Sequence, residues 1–238
     1  MSLSGRMLLA MLPRQERDHL LSYIPEKDRR YIEKILKGRA RYPECFDERQ
    51  ALFIHIPKTA GRSLVKSLFN VNSVEHANAE WYQRIDPDRF DRYFKFAIVR
   101  NPWDRLVSAW TYLREGGAKS SEDDTAWGEF FHRFDSFEDF VCHWLTPENI
   151  RRKHLFTPQS EFVTDRFGGM AMDFVGRYER LNEDFDVICE KLGLDVKLPH
   201  LNSSKRVGYQ EFYTDRSRAI VEKIYARDIE LFGYCFDE

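Results

Sequence analysis

Short apolar runs alternate with helix-like segments along most of the chain. Residues 52–56, 93–100 and 174–176 are rich in aliphatic and aromatic side chains, which is typical of short buried strands. Between and after them, apolar residues recur every three or four positions, as on one face of an amphipathic helix. Strands separated by helices predict an α/β fold with a central parallel β-sheet flanked by helices.

Several helical segments carry start and stop signals. A helix is predicted over residues 102–115, with a proline in its first turn. Ser136 and Asn182 are predicted N-caps of two further helices, because short polar side chains satisfy the first backbone N–H groups. Gly193 is predicted to end the second of these. The pattern of the tail predicts one amphipathic helix that ends near Gly233.

The first fifth of the chain has a different pattern. We predict an N-terminal helical extension over residues 1–50, with a helix at residues 26–37, and an α/β domain over residues 51–238. The apolar patch at residues 7–12 is too short to span a bilayer, and charged residues follow it at once. Because no convincing cleavage site is present, we expect a cytoplasmic protein without stable membrane insertion; a degenerate signal sequence is the alternative.

Overall charge and cysteine spacing narrow the possible functions. The 238 residues carry a formal net charge of −2, with a pI of about 6.4. There is no overall basic field for nucleic acid, so any bound anion must be held by a local group of residues. The four cysteines are scattered, with no C-x-x-C pair, so we expect free thiols rather than a zinc site or a disulfide framework.

The segment HIPKTAGRSL, residues 55–64, leads from the first predicted strand into a helix. Its backbone N–H groups would lie at a helix N-terminus, where unpaired donors and the helix dipole favour an anion. Gly61 permits a tight turn, and Thr59 and Ser63 add hydroxyl groups. Lys58 adds a compact positive charge. The alternative is an ordinary strand-to-helix turn with a surface lysine.

This loop differs from that of a nucleotide hydrolase. In those enzymes the lysine directly precedes a Mg²⁺-binding Ser or Thr, and the next strand ends in an aspartate. Here Lys58 comes early, and the second strand ends in Arg100, which repels a divalent cation and attracts a second anion. Ser108, two turns along the next helix, can complete that second site. The pattern favours a metal-free site for two anionic groups, unless Arg100 and Ser108 are merely structural.

Taken together, IPKTAGRSL and FAIVRNPWDRLVSAW resemble the motifs of sulfotransferases that use 3′-phosphoadenosine 5′-phosphosulfate. The branch with the heparan and chondroitin O-sulfotransferases and many bacterial relatives is the most similar, and the resemblance runs from about residue 51 to 234. It implies a P-loop-like fold, this donor as co-substrate, no metal, and a hydroxyl acceptor. It implies donor-binding roles for Lys58, Thr59, Ala60, Gly61, Arg62, Ser63, Arg100 and Ser108, with Lys58 also stabilising charge on the bridging oxygen.

The resemblance also points to a general base. Relatives with a histidine base carry it in the segment that here reads EHANAEW, which implies this role for His76. The segment lacks the paired histidines of the heparan 2-O enzymes, and a loop histidine without a catalytic part is the alternative. His55, within the first strand, is predicted to be a core histidine. His154 is a second candidate base if His76 is not.

The acceptor side and the cover of the donor site are assigned in the same way. The segment RRKHLFTPQSEFV resembles the family's acceptor side, which implies substrate contacts for His154 and Gln159; a solvated basic turn is the alternative. The loop HLNSSKR resembles a loop that closes over the donor, which implies phosphate contacts for Lys205 and Arg206.

Three classes of function therefore remain. The first is a sulfotransferase acting on a hydroxylated small molecule or, as we expect, a carbohydrate. The second is a P-loop small-molecule kinase or nucleotide hydrolase, which would require Mg²⁺ for ATP binding. The third is a non-catalytic nucleotide-binding relative, which would bind the donor without turnover.

Overall fold

The computed structural model describes residues 41–118, 121–199 and 208–237, together with a few isolated positions before residue 41. In these residues three parallel strands form the central sheet, in the spatial order β1 (Ala51–Ile54), β2 (Phe94–Val99) and β3 (Phe174–Arg177). Ala51 lies opposite Phe94, and Phe96 lies opposite Phe174. The predicted α/β class with a central parallel sheet is confirmed.

Helices surround this sheet. In chain order they are α1 (Glu44–Arg49), α2 (Gly61–Phe69), α3 (Ala79–Ile85), α4 (Pro87–Arg92), α5 (Pro102–Arg114), α6 (Glu122–Phe131), α7 (Phe137–His143), α8 (Ser160–Val163), α9 (Leu181–Leu192), α10 (Asp215–Ile224) and α11 (Ala226–Phe232). Short 3₁₀ turns occupy Asn149–Arg151, His154–Phe156, Tyr178–Arg180 and Tyr209–Phe212. All four residues of β1 are buried, as expected for a parallel strand covered on both faces.

Apolar side chains form two clusters. One surrounds the sheet and includes residues of α2 and α9, whereas the other joins α5, α6 and α7 to the C-terminal helices. Tyr42 and Phe46, which precede β1, are buried in the first cluster. These two residues therefore pack against the α/β unit, while the predicted division of the chain at residue 51 stays a prediction.

The capping predictions have a mixed outcome. The Ser136 hydroxyl accepts a hydrogen bond from the Asp139 backbone N–H, so the predicted cap of α7 is confirmed. Gly193, at φ 64°, ends α9 as predicted. The predicted cap Asn182 is wrong: α9 starts at Leu181, directly after a 3₁₀ turn, and has no side-chain cap.

The tail does not form one helix. α10 ends at Ile224 and α11 begins at Ala226, with Tyr225 between them. Tyr225 is buried and its hydroxyl donates to the Phe156 carbonyl oxygen at 2.8 Å, so tertiary packing interrupts a continuous apolar pattern. The chain leaves α11 at Gly233 in a left-handed conformation, as expected.

The predicted helix at residues 26–37 lies outside the described residues. Among the helices that are described, none combines the length and the apolarity needed to cross a membrane.

The sheet topology positions the two loops of interest. β1 ends at Ile54, two residues earlier than predicted, and β2 ends at Val99. The two strands are parallel neighbours, so the segments that follow them emerge at the same edge of the sheet.

Candidate active site

The turn between β1 and α2 has an unusual backbone. Lys58 and Ala60 both adopt left-handed conformations, with φ values of 71° and 63°. The Ala60 carbonyl oxygen accepts the N–H groups of Ser63 and Leu64, at 3.0 and 3.3 Å. The N–H groups of Gly61 and Arg62, the first two residues of α2, precede these bonds and remain available for an anion.

Gly61 has a different role from the one predicted. It is not one of the left-handed residues; instead, its Cα faces the imidazole of His55. A Cβ at position 61 would lie 2.0–2.1 Å from two atoms of that ring, a distance that no folded protein tolerates. Glycine is therefore needed here because the His55 ring packs directly beneath the start of α2.

A pocket of about 310 Å³ opens at this edge of the sheet. The structure brings together around it Lys58, Ala60, Gly61, Arg62, Ser63, His76 and His154, all of which were predicted to be site residues. Its wall also includes His55, Pro57, Tyr112, Asp124 and Leu155, which were not.

Three histidines form a row along this pocket. The ring centroids of His55 and His76 are 4.0 Å apart, and those of His76 and His154 are 5.1 Å apart. His55 is buried, and desolvation lowers its pKa to about 3. It is the core histidine that we predicted, although its ring also lines the pocket.

The His76 ring is fixed by one hydrogen bond. Its Nδ1 lies 2.8 Å from the backbone carbonyl oxygen of His55, which can only accept, so Nδ1 carries the proton and Nε2 of the neutral ring keeps its lone pair. Desolvation lowers the pKa of His76, although the hydrogen bond to His55 acts in the opposite direction. A neutral imidazole with a free Nε2 has the protonation state that a general base requires.

Lys58 faces an aromatic side chain across the pocket. Its Nζ lies 4.2 Å from the centroid of the Tyr112 ring. The Tyr112 hydroxyl donates to Asp124 Oδ2 at 2.7 Å, and Lys153 Nζ donates to Asp124 Oδ1 at 2.6 Å. Burial and the bond to Asp124 raise the pKa of Tyr112 to about 12, so its hydroxyl keeps its proton.

Arg100 stands where β2 ends, as predicted. Its guanidinium donates to Asp104 Oδ2 from Nε and Nη2, at 2.8 and 2.6 Å, and from Nη1 to the Lys58 carbonyl oxygen at 3.1 Å. The guanidinium carbon also lies 4.1 Å from the Tyr178 ring centroid.

Ser108 is on α5 and is 8% exposed. Neither Arg100 nor Ser108 lines the pocket. Their predicted contact with a phosphate stays a prediction.

The side chains of two other predicted site residues, Thr59 and Gln159, are hydrogen-bonded within the protein. The Thr59 hydroxyl is buried and donates to the Ile56 carbonyl oxygen at 2.9 Å, which leaves its backbone N–H for an anion. Gln159 is buried and does not line the pocket; its amide accepts from the Arg100 N–H and donates to the Arg100 carbonyl oxygen. In this conformation Gln159 positions Arg100, and its contact with an acceptor stays a prediction. Lys205 and Arg206 lie outside the described residues.

Sequence reasoning missed Arg105. This side chain is 2% exposed and donates to three backbone carbonyl oxygens, those of Pro57, Leu155 and Thr157. It therefore ties the turn that carries Lys58 to the segment that carries His154. Its only signal in the sequence was its place near the start of the helix predicted over residues 102–115, which also fits an exposed arginine.

The donor groups of this pocket suit an anion. They comprise the ammonium of Lys58, the guanidinium of Arg62, the Ser63 hydroxyl and the first two N–H groups of α2. In the part of the chain that the structure describes, no group of three or more His, Cys, Asp or Glu side chains is placed to hold a metal ion. No disulfide bond joins any two of the four cysteines.

Comparison with known proteins identifies the family. Carbohydrate sulfotransferase 10 of Gallus gallus is 23% identical over 188 residues, which cover 61% of this chain and 48% of that protein. Carbohydrate sulfotransferase 14 of Danio rerio is 25% identical over 236 residues, which cover 79% of this chain and 60% of that protein. An uncharacterized protein of Archaeoglobus fulgidus is 31% identical over 119 residues, which cover 48% of this chain and 80% of that protein.

The chain thus spans about half the length of the curated carbohydrate sulfotransferase 10 proteins that it matches. No solved structure matches it. The model of the sulfotransferase family matches residues 45–235, which include the strand-to-helix turn, the end of β2 and all three pocket histidines. This chain belongs to the sulfotransferase family.

Proposed function

We propose that this protein transfers a sulfuryl group from 3′-phosphoadenosine 5′-phosphosulfate to a hydroxyl group of a carbohydrate. Family membership supports sulfuryl transfer in general, and the similarity to carbohydrate sulfotransferases of Gallus gallus and Danio rerio supports a carbohydrate acceptor. The observation that carries the proposal is the shared pocket: Lys58 and His76 line the same space of about 310 Å³, and the Nδ1–H of His76 is bonded to the His55 carbonyl oxygen.

The residues of the turn would hold the anionic end of the donor. The first two N–H groups of α2, together with the side chains of Arg62 and Ser63, provide hydrogen-bond donors along one pocket. Arg100, joined to the same turn through the Lys58 carbonyl oxygen, provides a second cation for the nucleotide's other phosphate. When bound, the donor supplies an activated sulfuryl group on a phosphate oxygen.

The two walls of the pocket then have complementary tasks. Lys58 stabilises the negative charge that develops on the leaving phosphate oxygen. His76 accepts the proton of the acceptor hydroxyl at Nε2, and the Nδ1–H bond to His55 holds the ring in the required tautomer. His154, next to His76 along the row, lies where it can contact the acceptor.

The proposal is tested by transfer of radiolabelled sulfate from the donor to a panel of neutral and acidic oligosaccharides. We expect labelled product with the unaltered protein, and a loss of at least 100-fold in rate for Lys58→Ala and for His76→Gln. Phe167→Leu serves as the control, because Phe167 is an exposed aromatic residue that does not line the pocket.

We also expect the protein to be retained on immobilised adenosine 3′,5′-bisphosphate without Mg²⁺. Mg²⁺-dependent ATP binding with no sulfate transfer would contradict the proposal and favour a P-loop kinase or nucleotide hydrolase.

A further inference from the structure

The geometry points to Tyr112 as a positioning residue for Lys58, with Asp124 and Lys153 acting as its buried support. This inference rests on the proposed function only for its effect on sulfuryl transfer. The arrangement of the side chains can be tested without any turnover.

Tyr112 offers its ring face to the ammonium of Lys58. A distance of 4.2 Å between Nζ and the ring centroid is well within the range of a cation–π contact. Lys58 itself adopts φ 71°, a conformation that non-glycine residues seldom take, and its side chain leaves the turn in a defined direction. The strained turn and the ring together determine where the ammonium lies.

The Tyr112 ring is in turn held by a carboxylate. Asp124 Oδ2 accepts the Tyr112 hydroxyl at 2.7 Å and the Ala118 N–H at 3.1 Å. These bonds join the last turns of α5 to the start of α6. The bond to Asp124 holds the hydroxyl end of the Tyr112 side chain, and so fixes where the ring lies beside Lys58.

Asp124 is anchored from the other side by Lys153. The Lys153 side chain is only 2% exposed, and its ammonium donates to Asp124 Oδ1 at 2.6 Å and also contacts Asp123. Burial by itself would raise the pKa of Asp124, but the hydrogen bonds from Lys153 and Tyr112 outweigh it and lower that pKa. Asp124 therefore stays ionised, paired with the ammonium of Lys153.

The backbone makes room for this support. Gly117 adopts φ 61°, and a Cβ there would lie 2.6 Å from the Asp124 Cβ. Only glycine allows the Asp124 side chain to approach the end of α5 so closely.

The functional consequence is that the flexible Lys58 side chain has less conformational freedom. A lysine side chain otherwise loses considerable conformational entropy when a reaction requires one position of its ammonium. A ring that holds this ammonium at the pocket wall removes much of that loss before the donor arrives, which is a form of preorganisation. Removing the ring should slow transfer more than it weakens donor binding.

The first measurement is NMR of lysine side chains labelled with ¹³C, with the Lys58 signal assigned by its disappearance in Lys58→Arg. An ammonium-bearing carbon above an aromatic ring is shifted upfield by the ring current. We expect the full shift in the unaltered protein, a smaller shift in Tyr112→Phe, which keeps the ring but loses its bond to Asp124, and no shift in Tyr112→Leu. The matched control Phe167→Leu removes another ring that faces an arginine, far along the chain, and should leave the Lys58 signal unchanged. An unshifted Lys58 in the unaltered protein, or a shift that persists in Tyr112→Leu, overturns the inference.

The second measurement is a double-mutant cycle in transfer rate. We expect Tyr112→Leu to lower kcat roughly 3- to 10-fold with a smaller change in the KM for the donor. In a Lys58→Gln background the same substitution should have no further effect, whereas a purely structural role would give additive losses and overturn the inference. A ring-current shift at Lys58 without any sulfate transfer would refute the proposed function and still support the positioning of Lys58 by Tyr112.

Discussion

The guanidinium of Arg100 donates a hydrogen bond to the backbone carbonyl oxygen of Lys58 across 3.1 Å, so the end of β2 is tied directly to the turn after β1. This bond joins two residues that lie 42 positions apart in the chain and that were both predicted to bind the donor. Asp104 accepts from the other side of the guanidinium, which leaves the side chain little freedom to turn. This arrangement is compatible with one ligand that carries two separate anionic groups.

We therefore predict that Arg100→Ala weakens the binding of adenosine 3′,5′-bisphosphate by more than about tenfold, since a charge-assisted hydrogen bond contributes about 1.5–3 kcal/mol. Isothermal titration calorimetry without Mg²⁺ measures this affinity. Arg92→Ala, which removes an exposed arginine of α4, is the control and should bind as the unaltered protein does. Equal affinity of the Arg100 and Arg92 variants would exclude Arg100 from the binding site.

A second prediction concerns the pH dependence of transfer. Because His76 must be neutral to accept a proton, activity should fall when pH drops below its pKa. Desolvation lowers that pKa from its ordinary value of about 6.5, so the acidic limb of kcat/KM should have its midpoint below pH 6.5. Rates measured between pH 4.5 and 8 locate this limb.

His76→Gln should lower kcat by about 10²–10⁴-fold and abolish the acidic limb, because glutamine cannot take up the proton. His143→Gln is a matched control, since His143 is an exposed histidine of α7 that does not line the pocket. If His76→Gln keeps the same limb, the base lies elsewhere, and His154 is then the residue to replace.

The contact between Gly61 and His55 leads to a third prediction. Gly61→Ala should destabilise the protein by about 1–3 kcal/mol, because the new methyl group would lie 2.0–2.1 Å from His55 ring atoms unless the ring or α2 shifts. Urea unfolding gives the free energy of unfolding for both proteins.

This cost should depend on the His55 ring. In a His55→Ala background the methyl group meets empty space, so Gly61→Ala should cost less than about 0.5 kcal/mol there. A cost that is equal in both backgrounds would show that the strain of the turn itself, rather than the imidazole, requires glycine at position 61.

Much of this fold follows from local patterns. The apolar runs predict all three strands to within two residues, because buried parallel strands read as continuous hydrophobic segments. The turn after β1 was also predictable, since its Lys, Gly and Ser residues belong to one short segment. Even so, the left-handed residues are Lys58 and Ala60, whereas local rules favour Gly61.

The residues that hold Tyr112 beside Lys58, namely Asp124 and Lys153, could not be predicted from a local sequence pattern. Asp124 is an acidic residue in the first turn of α6, where a carboxylate commonly interacts with the helix dipole, and Lys153 lies in a basic run that suits a solvated surface. Only the packing of α6 against α5 brings them to Tyr112. The interruption between α10 and α11 at Tyr225 also comes from tertiary packing. It is set by the buried hydrogen bond from Tyr225 to Phe156, which the local sequence pattern does not show.

Arg105 provides the fourth prediction. Its guanidinium is buried, and its hydrogen-bond acceptors are three backbone carbonyl oxygens. These belong to two segments that form opposite sides of the site. Replacing it by methionine keeps much of the volume but leaves these oxygens without their donor, at a cost of about 1–3 kcal/mol for each one that water cannot reach. We expect Arg105→Met to lower the free energy of unfolding by about 3 kcal/mol or more, as measured by urea denaturation.

Arg105→Lys separates charge from geometry. Lysine keeps the positive charge, but a single ammonium cannot span carbonyl groups that the planar guanidinium reaches from Nε and Nη2. If Arg105 acts by holding Pro57 and Leu155 together, the lysine variant should lose most of the stability lost by Arg105→Met and should also bind adenosine 3′,5′-bisphosphate more weakly. If the buried charge alone matters, the lysine variant should behave as the unaltered protein does. We expect the former, because each of the three bonds has a donor–acceptor distance of 2.9–3.1 Å that depends on the shape of the guanidinium.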